Sequence, residues 1–115
     1  MSRIDRVNEE MRHRISEIIQ KDLSDPEIGF VTITRVETTP DLKIAHVYFT
    51  TIEEGESFDK TVDGLNRSAG FIRKALGRRI RMKSTPEIQF IYDDVDKEKN
   101  RIDEIIEAIH KEEEK

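Results

Sequence analysis

LNRSAGFIRKALGRRIRMK, residues 65–83, is the stretch whose reading decides the fold. It holds Arg67, Arg73, Lys74, Arg78, Arg79, Arg81 and Lys83, seven cations and no acid, in a chain whose formal net charge is −5. Leu65, Ala69, Ile72 and Leu76 recur at intervals of 4, 3 and 4, the period of a buried helical face. Gly77 follows. Glycine in a helix interior costs about 1 kcal/mol relative to alanine, so Gly77 is the expected end of the helix or a sharp turn. Beyond it, Ile80 and Met82 are the only apolar residues before position 84. The expectation is a helix, a tight glycine turn and a second short helix, with basic side chains around the junction. A helix N-terminus at such a turn would offer free backbone N–H groups and a partial positive charge to an anion. Guanidinium groups beside it suit the geometry of phosphate.

The rest of the composition sharpens that contrast. Residues 93–115 carry ten acids against five Lys and Arg, while residues 1–92 hold fifteen of each, so the net negative charge belongs to the C-terminal segment alone. An acidic total is therefore no objection to a polyanionic partner. At 115 residues, 35% hydrophobic and 39% charged, one domain with a modest core and a large solvated surface is expected. There is no cysteine, which excludes disulfides, thiol nucleophiles and thiolate metal sites. No apolar run approaches the ~18 residues that span a bilayer, and MSRIDRVNEE lacks the apolar core of a signal peptide. A cytoplasmic protein with no membrane contact is expected.

Outward from residues 65–83, the chain reads as follows. Ser2 and Asp5 have capping-box spacing, and Ile4, Val7, Met11, Ile15, Ile18, Ile19 and Leu23 follow at helical intervals, predicting a first helix over about residues 3–22. Its polar face carries Arg3, Arg6, Arg12 and Arg14, which read as a solvated face paired with Glu9, Glu10 and Glu17, or as secondary RNA contacts. Asp25-Pro26 stops the helix. FVTITRVET, residues 30–38, reads as a strand in which Val31 and Ile33 share one parity and Val36 has the other. Either a bulge lies near Thr34 and Arg35 or both faces are partly covered. Thr39-Pro40-Asp41-Leu42 is a turn into KIAHVYFTT, residues 43–51, with Ala45, Val47 and Phe49 on one face and Ile44, His46 and Tyr48 on the other, an antiparallel hairpin. Ser57 is positioned to cap the long helix, whose Gly70 serves either close packing or the close approach of another molecule. EIQFIY, residues 87–92, is a third strand, and Ile102, Ile105, Ile106 and Ile109 mark a last helix before a polar tail. The predicted order is α-β-β-α-α-β-α: a three-stranded sheet with helices packed on one face.

That order resembles a type II KH domain, an α+β fold with a three-stranded mixed sheet, which binds single-stranded RNA or DNA through a G-x-x-G loop between paired helices. Here the corresponding turn reads Ala75-Leu76-Gly77, with one glycine. In that departure, and in DPEIGFVTITRVETTPDLKIAHVYF, LNRSAGFIRKALGRRIRMKSTPEIQF and NRIDEIIEAI, the chain resembles the ribosome-binding factor A family over about residues 3–110. The resemblance implies a KH-like RNA-binding domain over residues 1–95, with an acidic C-terminal helix and tail over 96–115. It implies binding to the 30S ribosomal subunit and its precursor 16S rRNA, late maturation of the 5′ region of that RNA, a role in growth at low temperature and no catalytic activity or cofactor. The RNA-binding residues carried over are Ala75 and Gly77 at the kink and Arg67, Arg73, Lys74, Arg78, Arg79, Arg81 and Lys83 around it. Contacts of the acidic segment with ribosomal proteins and a monomeric state are expected as well.

Other classes fare worse on the residues themselves. Asp94, Asp96, Glu98 and Asn100 alternate like the start of a calcium loop, but Lys99 and Ile105 stand where glycine and glutamate are required. His13, His46 and His110 have no ligand spacing, and no Walker, nucleophile-elbow or zinc signature occurs. A module that uses its basic face on an acidic protein partner is the alternative reading.

Overall fold

The computed structural model describes residues 2–94, 105, 106, 108 and 109. Helix α1 spans Arg3–Glu17 and runs directly into a π-helical turn, Ile18–Asp22. Strands β1 (Thr32–Thr38) and β2 (Ile44–Thr50), helix α2 (Glu56–Arg79) and strand β3 (Glu87–Tyr92) follow. The sheet order is β1-β2-β3, with β1 antiparallel and β3 parallel to the central β2. Parallel pairing of β2 and β3 demands a crossover, and α2 is that crossover. α1 lies against β1, and α2 lies against β3.

Local chemistry accounts for the first helix. The capping box forms as expected: the Asp5 N–H donates to Ser2 Oγ at 3.1 Å, and the Ser2 N–H donates to Asp5 Oδ2 at 3.2 Å. Met11, Ile15 and Ile18 are fully buried. The π-helical turn was not legible in the residue spacing. Its Leu23 N–H reaches back to the Ile18 carbonyl at 3.1 Å. One extra residue in that turn puts Leu23 against the core and leaves Asp22 facing outward, where it meets α2. The polar face of α1 is self-paired at Arg12–Glu9 (2.5 Å) and Arg14–Glu17 (3.5 Å). Asn8 ties this helix to the sheet, its Oδ1 accepting from the Thr38 N–H at 3.2 Å and the Thr38 hydroxyl at 2.8 Å.

The parity conflict in β1 resolves as a bulge. Ile33 pairs with Phe49 and Arg35 with Tyr48, so Thr34 has no partner in the register. The extra residue turns both Ile33 and Val36 inward, each 5% exposed. Ala45, Val47 and Phe49 of β2 are buried, as the alternation predicts, and Ile44, His46 and Tyr48 face the other way, with the Arg35 guanidinium 4.0 Å above the Tyr48 ring. The hairpin closes with the Leu42 N–H on the Thr39 carbonyl at 2.8 Å, and Leu42 takes φ 60°, the left-handed region that β-turn exits of this kind require.

Two expectations for the long helix are corrected. Ser57 is not its cap: α2 starts at Glu56, two residues earlier than that cap requires, and its N-cap is Gly55, whose φ of 57° and ψ of −127° favour glycine. Gly77 does not break it. The helix runs unbroken through position 77 to Arg79, and Ile80 leaves it in extended geometry, so there is no second helix over 78–83. The described order is therefore α-β-β-α-β. Magnitudes explain the outcome. A mid-helix glycine costs about 1 kcal/mol, whereas burying one Ile or Leu contributes about 1.5–3 kcal/mol. Ile72, Leu76 and Ile80 are all at least nine-tenths buried, and continuing the helix is what keeps them on one face against the sheet. Of the expected last helix, residues 105, 106, 108 and 109 are helical, with Ile105, Ile106 and Ile109 about half exposed; Ile102 lies outside the described residues.

Candidate functional site

The buried stripe of α2 is Thr61, Gly64, Leu65, Ser68, Ile72, Ala75 and Leu76. The opposite stripe consists of Gly70, Arg73, Lys74, Gly77 and Arg78, at positions i, i+3, i+4, i+7 and i+8, all exposed. With Thr85 they line an open groove of about 550 Å³ between the second half of α2 and the segment that returns to β3. Two glycines two turns apart form its floor. Three anchors set its far wall: Arg73 donates from Nε and Nη2 to the Thr85 carbonyl at 3.1 and 2.9 Å, Pro86 is buried, and the Glu87 N–H meets the Lys43 carbonyl at 2.8 Å.

The two floor glycines have different reasons to be there. A Cβ on Gly77 would stand 2.8 Å from Thr85 Oγ1, so a side chain there requires the Thr85 side chain to move. Its φ is not positive; among the described residues only Gly55 and Leu42 have that geometry. A Cβ on Gly70 would meet nothing within 4 Å. Close packing against the described residues is thus excluded as the reason for Gly70, and its bare backbone is open on that side. By contrast, Gly64 is a packing glycine, with Ile28 Cγ1 2.6 Å from where its Cβ would be. Gly77→Ala is expected to stabilise the chain by up to about 1 kcal/mol when made together with Thr85→Ala, through helix propensity. In the parent chain the clash should cancel or reverse that gain. Denaturant titration of the four proteins measures the difference, and equal effects in both backgrounds would remove Thr85 as the constraint on position 77.

The seven cations divide into two sets. Arg67 Nη2 bridges Asp25 (3.2 Å) and Glu27 (2.7 Å), and hydrogen bonds to Glu27 and then Asp25 raise its pKa above the ordinary value. It stays charged but locally neutralised. Arg79 pairs with Asp22 at 2.5 Å and donates from Nη1 to the Ala75 carbonyl, one turn back in its own helix, at 3.2 Å. Arg73 is tied to Thr85. Lys74, Arg78, Arg81 and Lys83 are exposed and have no ion pair or hydrogen bond among the described residues. Ala75, expected at the kink, is instead 5% exposed and belongs to the core, so its side chain does not reach the groove.

The electrostatics at the cluster also differ from the expectation. Among the described residues no helix N-terminus adjoins the basic side chains, so none presents a set of free N–H groups there. What lies beside them is the C-terminus of α2, with its outward carbonyls and partial negative charge. Arg78 and Arg79 in the last turn offset that charge. An anion in this groove would be held by side-chain cations alone. Among the described residues no cluster of three His, Cys, Asp or Glu offers a metal site, and no helix is long and apolar enough to cross a membrane.

With this geometry in view, the similarities are specific. A family model described as ribosome-binding factor A matches residues 3–106. Ribosome-binding factor A of Azoarcus sp. (strain BH72) is 41% identical over 113 residues, 98% of this chain and 90% of that protein. The crystal structure of ribosome-binding factor A from Thermus thermophilus matches with a TM-score of 0.70 at 25% identity, over 77% of this chain and 93% of that one. A homology model of the Thermus thermophilus factor, fitted into the cryo-EM map of a 30S complex, matches with a TM-score of 0.62 at 27% identity, over 75% of this chain and 90% of that one. The α+β, KH-like class with a three-stranded mixed sheet is the one these neighbours share.

Proposed function

Because this chain belongs to the ribosome-binding factor A family, we propose that it binds the free 30S subunit and its precursor 16S rRNA, assisting late maturation of the 16S rRNA 5′ region and growth at low temperature without catalysing a reaction. The observation that carries this reading is the glycine-floored groove on α2, open at Gly70 and edged by the unpaired Lys74 and Arg78. A bare backbone lets a bulky phosphodiester chain come close, and unpaired ammonium and guanidinium groups attract phosphate at little cost in broken protein contacts. Arg81 and Lys83 extend the positive edge beyond the helix. Arg67, Arg73 and Arg79 contribute positive field while holding the surfaces that shape the groove.

In this reading residues 1–95 form the RNA-binding domain of a cytoplasmic monomer. The acidic residues 96–115 restrict docking to the basic face by repelling RNA, or meet ribosomal proteins. Neutralising three to five phosphates predicts that log K for purified 30S precursors falls with log salt at a slope of about −2 to −4. Crosslinking to the same particles should recover 16S rRNA. A flat salt profile, with crosslinks to protein alone, would overturn the RNA reading in favour of an acidic protein partner.

A further inference from the structure

Phe71 follows Gly70 on α2 and is 49% exposed. The other aromatic residues are accounted for differently. Phe49, Phe58, Phe90 and Tyr92 form one edge-to-face cluster, with centroids 5.0 to 6.3 Å apart. The Tyr48 ring is covered by Arg35. Phe30, 62% exposed, stands in acidic company, its N–H on Glu53 Oε1 at 3.4 Å and Glu27 three residues before it in the chain. Phe71 alone among the described aromatic residues has no ring or cation partner and sits on a cationic helix face. Helical spacing puts Arg67 one turn before it, Lys74 one turn after it and Arg78 two turns after it.

From this we infer that Phe71 is a stacking platform for an unpaired nucleotide, its base lying on the exposed ring and the flanking phosphates meeting Lys74 and Arg78. The inference rests on the RNA reading above and names its ligand: a single-stranded stretch, not a duplex. A half-exposed phenyl ring gains little from water and has a free π-face, and every base offers a matching one. Duplex RNA keeps its bases stacked on one another and has none to give. The open backbone at Gly70 leaves room for the sugar of the stacked residue.

The chain contains no tryptophan, so Phe71→Trp introduces a single reporter. A short single-stranded oligoribonucleotide should quench its fluorescence, and a blunt duplex of equal length should not. Phe71→Ala should weaken single-strand binding by about tenfold or more, change duplex binding by less than about twofold and leave the salt slope unaltered, since no phosphate contact is lost. Phe71→Tyr should restore the affinity, and the melting temperature should stay with the parent. If the parent binds RNA but Phe71→Ala binds single strands equally well, or loses both forms alike, the stacking assignment falls and the phosphate reading stands. If the parent binds neither form, both readings fall.

Discussion

A chain carrying Lys74→Glu, Arg78→Glu and Arg81→Glu should melt within about 10 °C of its parent and fail to associate with 30S subunits. None of the three side chains has an ion pair or hydrogen bond among the described residues, so their reversal breaks nothing that holds the fold. Exposed substitutions of this kind change stability by about 0.5 kcal/mol each, with Arg78 adding at most about 1 kcal/mol through the helix dipole. Binding should respond differently. Three lost phosphate contacts remove about 2–3 units of salt slope, and reversal adds repulsion, so affinity near 0.15 M salt should drop at least about 100-fold. Reversal of Arg67, Arg73 or Arg79 gives a less readable experiment, because these hold Asp25 and Glu27, the Thr85 carbonyl, and Asp22. Co-sedimentation of the triple variant at parental affinity would discard the groove as the docking face.

Phe49→Ala should cost about 3–5 kcal/mol of folding stability. Phe49 is 1% exposed in the central strand, and its ring meets Phe90 and Tyr92 edge-on at 6.3 and 5.7 Å. Tyr92 in turn meets Phe58 at the start of α2, so the cluster joins β2, β3 and the crossover helix. Against a total of about 5–15 kcal/mol for a domain, this substitution should lower the melting midpoint by roughly 10–30 °C. Tyr92→Ala, at a side chain 41% exposed, should cost distinctly less. A loss under about 1.5 kcal/mol for Phe49→Ala would mean that the aromatic cluster does not tie the crossover to the sheet.

What the residues alone determined is whatever depends on near neighbours. The capping box needs only Ser2 and Asp5, and the alternation of Ala45, Val47 and Phe49 needs only a strand with one buried face. The order of the first helix, the hairpin, the long helix and the third strand, and the concentration of cations in residues 65–83, were legible for the same reason; the second short helix was not there. Spacing narrowed β1 to a bulge or a doubly covered strand, and the register with β2 chose the bulge. Tertiary structure decided the rest. Gly77 reads as a break because its propensity is local, yet the burial of Ile72, Leu76 and Ile80 against the sheet is worth more and carries the helix past it. Which cations remain unpaired depends on acids far away in the chain: Arg67 meets Asp25 across 42 positions and Arg79 meets Asp22 across 57. No periodicity encodes such distances, because an ion pair forms only where packing has already brought two remote backbones together.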